Sequence, residues 1–226
     1  MTIDAVIFDL DGLLIDTERF SKLAFHEAED THGLSGHTNL FLSLVGTNER
    51  QHTETLAVKL DGITDPVAFR ATWVEAYLRM VSAETIPLLP GVTETLEWLK
   101  AQNIKTAVAT SSTTDAAHKK LTETGILSYF DSVTCGDQVS RSKPHPDIYL
   151  HAGEKINAQM ATSIGLEDSA NGVRAAHAAG LNVIQVPNVV EPTQDILELG
   201  VDVCESMHDV LEMMQRGEPV KSKAQK

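Results

Sequence analysis

Residues 3–12 read I-D-A-V-I-F-D-L-D-G, and the fold follows from how that stretch begins and ends. Positions 3–8 form a short, nearly continuous apolar run rich in β-branched side chains, the pattern of a strand buried on both faces. The run stops abruptly at Asp9, Asp11 and Gly12. Three later segments have the same form. Residues 104–109 (I-K-T-A-V-A) stop at Thr110-Ser111-Ser112, residues 161–166 (A-T-S-I-G-L) at Glu167-Asp168, and residues 181–186 (L-N-V-I-Q-V) at Pro187-Asn188. A short additional strand is expected at 201–204.

Helical patterns separate these strands. Residues 92–101 carry Leu96 and Leu99 on one side, 114–124 end at Gly125, and 170–179 end at Gly180, a natural helix stop in both cases. Strands alternating with helices of this length predict right-handed crossovers and a parallel sheet, an α/β doubly wound, Rossmann-like core. Ligands of such sheets sit at the carboxyl ends of the strands, where each of these polar clusters falls.

Residues 17–87 break the alternation. Helices are expected at 20–31, 38–45, 49–60 and 66–81, with no buried-strand run among them. The expected division is therefore an α/β catalytic core of residues 1–16 and 88–216, an inserted α-helical cap of residues 17–87, and a flexible tail at 217–226. The connections near Asp16 and at 87–90 would serve as the hinge.

The chain has 226 residues, enough for one good core plus a modest insert. Lys and Arg number 18 against 32 Asp and Glu, a net charge of −14. Such a surface repels nucleic acid and anionic membranes, so neither is expected as a partner. An anionic substrate would then need a local positive centre. Cys135 and Cys204 lack CxxC spacing and read as reduced thiols. With no signal peptide and no membrane-length apolar run in view, a cytoplasmic monomer is expected.

Asp9 and Asp11 stand two residues apart just past a buried strand, and two such carboxylates repel each other unless a cation or proton intervenes. A hard divalent ion resolves this, and magnesium typically takes one or two carboxylates plus substrate phosphate oxygens. Asp9, Asp11, Glu167 and Asp168 are the candidate metal ligands, Asp11 through its backbone carbonyl. Lys143, in S-R-S-K-P-H-P-D, supplies a fixed positive charge. Thr110 and Ser111 offer hydrogen-bond donors to a phosphate. Asp9 is then a carboxylate nucleophile forming an aspartyl-phosphate. Asp11 protonates the leaving alcohol and later deprotonates water. The competing reading of each residue is ordinary: a helix cap for the Asp and Thr/Ser clusters, a surface lysine for Lys143. Ser112 could likewise be no more than a cap.

D-L-D-G-L-L-I-D-T at 9–17 resembles the first motif of the haloacid dehalogenase superfamily in its phosphate-processing branch. Thr110 is similar to the second motif, Lys143-Pro144 to the third and G-L-E-D-S-A-N-G at 165–172 to the fourth. The insert resembles the small helical cap of the subfamily that includes β-phosphoglucomutase and many sugar-phosphate phosphatases. The resemblance implies magnesium, an aspartyl-phosphate and a cap that closes over a small phosphate ester. It also makes Arg50 and Arg79 candidates for gripping the far end of the substrate.

The expected function is a magnesium-dependent phosphatase acting on a small phosphorylated metabolite, a sugar or polyol phosphate. Its nearest rival is a β-phosphoglucomutase-like transfer. Those mutases carry a first-helix histidine where this chain has Ser21, and an arginine three residues after a cap glycine. Here Gly46 is followed at that spacing by Glu49. A phosphonate hydrolase would want an early-cap lysine, and Lys22 reads as a solvated helix residue. A non-catalytic phospho-accepting or binding module is the rival of a different class, and it has no use for a seventy-residue insert. His26, His32, His37 and His52 lack metal-ligand spacing, and packing or surface roles are expected for them.

Overall fold

A computed structural model describes residues 3–218 and 220; of the flexible tail expected at 217–226, Val220 is instead buried against the core, because its apolar side chain joins the cluster around β1, and 219 and 221–226 lie outside the described residues. Among the described residues, six parallel strands run in the order β3-β2-β1-β4-β5-β6. They are β1 (Ala5–Phe8), β2 (Lys105–Thr110), β3 (Ser132–Cys135), β4 (Ile164–Glu167), β5 (Asn182–Gln185) and β6 (Asp202–Val203). The first strand is central, and the order reverses on either side of it. The crevice above β1 is therefore the topological switch point.

Alternate residues of β1 serve two separate cores, as the two-residue period of a strand requires. Val6 and Phe8 pack with α5 (Val92–Ala101), α6 (Thr114–Glu123) and α10 (Met207–Gln215) on one face. Ala5 and Ile7 pack with α7 (Asp147–Lys155) and α8 (Ala170–Ala178) on the other. Each large apolar side chain so buried contributes roughly 1.5–3 kcal/mol.

Two strands differ from the sequence-based expectation, which also names neither α7 nor α10. The edge strand β3 reads S-V-T-C, too short and too polar for an apolar run to announce it. β4 begins at Ile164 because Met160–Thr162 forms a 3₁₀ turn, which takes up the first residues of the expected strand.

Between β1 and α5 lie α1 (Thr17–Thr31), α2 (Thr38–Leu44), α3 (Glu49–Lys59) and α4 (Pro66–Ala83). They share a hydrophobic cluster of their own. Phe25 is its centre, edge-on to Trp73 at 5.2 Å and Phe69 at 5.3 Å, an arrangement favoured by the ring quadrupoles. The Trp73 indole donates to the Ser21 carbonyl at 2.9 Å and ties α4 to α1. Asn48 and Gln51 form a capping box on α3, and Asp65 caps α4 ahead of Pro66. The chain enters and leaves this module through two hydrogen-bonded connections. Asp16 N–H donates to Pro87 O at 3.0 Å, and Leu89 N–H to Leu14 O at 3.1 Å.

Candidate active site

The strand ends converge where the sheet order reverses. Asp9 follows β1, Thr110 closes β2, and Glu167 closes β4 with Asp168 beyond it. Lys143 reaches the same point from the loop between β3 and α7, its side chain only 2% exposed. A buried ammonium needs close partners. Lys143 bridges Asp9 and Glu167, the latter at 2.5 Å, and the Tyr149 hydroxyl donates to the same Glu167 oxygen at 2.7 Å.

Asp9, Glu167 and Asp168 each offer a carboxylate oxygen, all within 4.8 Å of one another. Three buried carboxylates share one ammonium, a charge imbalance that suits a hard divalent cation with oxygen ligands. Burial lifts the Asp9 carboxyl to about 7, with Glu167 adding to the shift and Lys143 opposing it. Burial, then Asp9 and Glu167, push Asp168 well above the usual carboxylate range. A bound cation would offset both shifts by favouring the charged carboxylates.

Asp11 has a different environment. Its Oδ1 accepts from Thr17 at 2.9 Å and Lys120 at 2.6 Å; its Oδ2 accepts from Ser112 at 2.8 Å and Thr110 at 3.4 Å. Burial works against its charge, but Lys120 and these hydroxyls outweigh it and hold the carboxyl below its usual range. Two carboxylates two residues apart are thus driven in opposite directions, Asp11 towards its ionised, proton-accepting form and Asp9 towards a neutral form that a bound cation would ionise.

Above these groups is a cavity of about 450 Å³ whose far wall is the helical module. Phe41, His52, Trp73 and Tyr77 line that wall, with Glu49 and Arg70 paired at 2.8 Å. His52 stacks on Trp73 at 5.1 Å, and burial favours its neutral form. The module rests on the core at the third motif. Asn48 Nδ2 donates to Ser142 Oγ at 2.8 Å, and Gln51 Nε2 to Lys143 O at 3.3 Å.

Asp9, Asp11, Thr110, Ser111, Lys143, Glu167 and Asp168 therefore all come together. The Asp11 carboxylate, however, lies outside the three-carboxylate cluster and faces Lys120, which leaves only its backbone carbonyl as a ligand. The two arginines expected to grip substrate are elsewhere. Arg79 is 60% exposed and paired with Glu27, and Arg50 is 76% exposed beside Glu54. Both point to the outer surface of their helices, and neither lines the cavity. Arg70, on α4, is the arginine of the helical module that lines the cavity. Sequence reasoning missed it, as it missed Lys120, Tyr77 and Tyr149, because each sits within a helix with no motif or periodic signal to mark it.

The clustered carboxylates, the buried ammonium and the cavity above them suit a hydrolase, and the comparisons place the chain among hydrolases. Residues 6–186 match the family model of haloacid dehalogenase-like hydrolases, and the chain belongs to that family. A phosphorylated carbohydrates phosphatase from Thermotoga maritima is 33% identical over 215 residues, covering 94% of this chain and 98% of its own. Hexitol phosphatase B of Escherichia coli is 34% identical over 194 residues, 81% of this chain and 83% of its own. The crystal structure of a β-phosphoglucomutase from Clostridium difficile superposes with a TM-score of 0.74 at 26% identity, covering 95% and 96% of the two chains.

Proposed function

We propose that this protein is a magnesium-dependent phosphatase for small sugar or polyol monophosphates. The observation that carries the reading is the buried cluster of Asp9, Glu167 and Asp168 with its single ammonium, set at the floor of a cavity next to an acid/base carboxylate. Two relatives named for hydrolysing phosphorylated carbohydrates and hexitol phosphates support the substrate class.

Asp9 attacks phosphorus and the bond to the leaving alcohol breaks, giving an aspartyl-phosphate. Asp11 protonates the departing oxygen, then takes a proton from the water that attacks the aspartyl-phosphate and frees inorganic phosphate. Lys143 stays beside the Asp9 carboxylate and stabilises charge on the phosphoryl oxygens, and Thr110 and Ser111 are the proposed hydrogen-bond donors to them. Magnesium held by Asp9, Asp168 and the Asp11 carbonyl would neutralise the phosphoryl charge. Glu167 serves chiefly to fix Lys143.

We read residues 17–87 as a cap over the rest of the chain, with the paired connections at Asp16–Pro87 and Leu14–Leu89 as the hinge. Free thiols at Cys135 and Cys204 suit a reducing, cytoplasmic setting. Hydrolysis is favoured over a mutase reaction because Glu49 stands at the cavity. Unshielded, a carboxylate there would repel a second phosphate by about 1–4 kcal/mol at near-surface separations; its pairing with Arg70 reduces that repulsion without leaving a free cation for the second phosphate.

A panel of phosphorylated metabolites assayed with magnesium tests this reading. Sugar and hexitol monophosphates should release inorganic phosphate, and chelator should stop the release. With β-glucose 1-phosphate and a trace of the bisphosphate, glucose 6-phosphate forming faster than inorganic phosphate would establish a mutase instead.

A further inference from the structure

We infer that Lys120, on a helix outside the four motifs, is a positioning residue that sets the orientation of the Asp11 carboxylate. The inference rests on the phosphatase reading, in which Asp11 is the acid/base group.

Each of the two aspartates has its own ammonium. Lys143 holds Asp9, and Lys120 lies 2.6 Å from Asp11 Oδ1. Lys120 is only 15% exposed, and its Nζ also donates to Ser112 Oγ at 3.2 Å. Of the four side chains that bind Asp11 it alone is charged, and a charge-assisted bond is about twice as strong as a neutral one. The terminal torsion of an aspartate is broad, so hydroxyls alone leave the plane of the carboxylate loosely set. Lys120 fixes it and draws it away from the Asp9, Glu167 and Asp168 cluster.

Lys120 also meets the helical module. Tyr77 on α4 lines the same cavity and interacts electrostatically with the same ammonium. The contact runs from α4 through Tyr77 and Lys120 to Asp11, so the seating of the module bears directly on the acid/base group. A purely structural ion pair would need no third partner from the module.

The test compares Lys120→Met and Lys120→Arg with wild type, with magnesium present, on two substrates followed by rapid mixing. A hexitol phosphate has a leaving group that needs a proton; 4-nitrophenyl phosphate does not. For Lys120→Met the phosphoryl-transfer rate on the hexitol phosphate should fall by about 10- to 100-fold, part of the ~10²–10⁴ typical of an acid/base group. KM should stay within about twofold, the signature of a loss confined to the chemical step. The fall on the aryl phosphate should be at least tenfold smaller, and Lys120→Arg should recover most of the rate. Equal losses on both substrates, or a rise in KM with the rate kept, would overturn the inference.

Thermal melting and the Asp11 ¹³Cγ resonance complete the experiment. The resonance should move in Lys120→Met and return towards wild type in Lys120→Arg. An unmoved resonance contradicts the inference even if Lys120→Met is destabilised. If wild type hydrolyses neither substrate, the phosphatase reading fails, and the resonance still decides the positioning role.

Discussion

Gly46 lies against the side chain of Ser169, so closely that a Cβ at position 46 would overlap the serine Oγ. Gly46 belongs to the helical module and Ser169 caps α8 in the core, so the contact is a point where the module seats on the catalytic floor. The glycine also has φ +73°, a conformation costing other residues roughly 1–2 kcal/mol. Gly46→Ala should therefore lift the module as well as strain the backbone. Gly62 separates the two effects, since it has φ +70° but nothing within 4 Å of where a Cβ would stand. Both alanine variants should melt at reduced temperatures, Gly46→Ala the lower of the two because it adds the overlap with Ser169 to the strain. Only Gly46→Ala should lose kcat/KM, by about 10²-fold, the scale of a ~1 Å misplacement. Equal activities would mean that this contact does not seat the cap.

Asp11→Asn retains size and backbone carbonyl but cannot exchange a proton. Hydrolysis of an alkyl phosphate should fall by ~10²–10⁴, while metal affinity measured by calorimetry stays within a few fold. Phosphoryl transfer from 4-nitrophenyl phosphate, whose leaving group departs unprotonated, should suffer less. Equal losses on the two esters would contradict the acid role.

The catalytic floor was legible in the sequence because its residues sit at abrupt ends of apolar runs. Asp9, Thr110 and Glu167 each end a buried strand, and a parallel sheet brings such ends together. Lys143 was legible through its neighbours in the third motif. The substrate-facing wall was not. Arg79 was singled out and Arg70 was not, although nine residues apart on one helix no local signal separates them. Only the packing of α4 on α1 and on α3 decides that Arg79 meets Glu27 while Arg70 meets Glu49. Lys120 was hidden for a related reason: its partner Asp11 is 109 residues away, and no local period records a contact of that kind. The edge strand β3 lacked the apolar run by which the others were found.

Glu29 gives the helical module a pH dependence. It is 3% exposed and accepts from the His37 N–H at 2.8 Å, His26 at 2.8 Å and His37 Nδ1 at 3.1 Å, which joins α1 to the start of α2. Burial opposes its charge, but these bonds outweigh it and keep the carboxyl below its usual value of 4.5. A depressed folded value means stability that is present above the unfolded value and lost as pH falls through the folded one. Glu29→Gln should cost about 1–3 kcal/mol near neutrality, as for hydrogen bonds to a charged group. The gap from wild type in denaturant melts should narrow below pH 4.5. A gap that widened on acidification would contradict the assignment.

The nucleophilic role of Asp9 is the centre of the account, and trapping the phosphorylated enzyme tests it most directly. Wild type and Asp9→Asn would be mixed with magnesium and ³²P-labelled hexitol phosphate, quenched in acid within milliseconds, digested and mapped by mass spectrometry. The account predicts label on the peptide carrying Asp9 in wild type, none in Asp9→Asn, and release of inorganic phosphate lost with it by several orders of magnitude. Label at another residue, or phosphate release by Asp9→Asn at the wild-type rate, would contradict it.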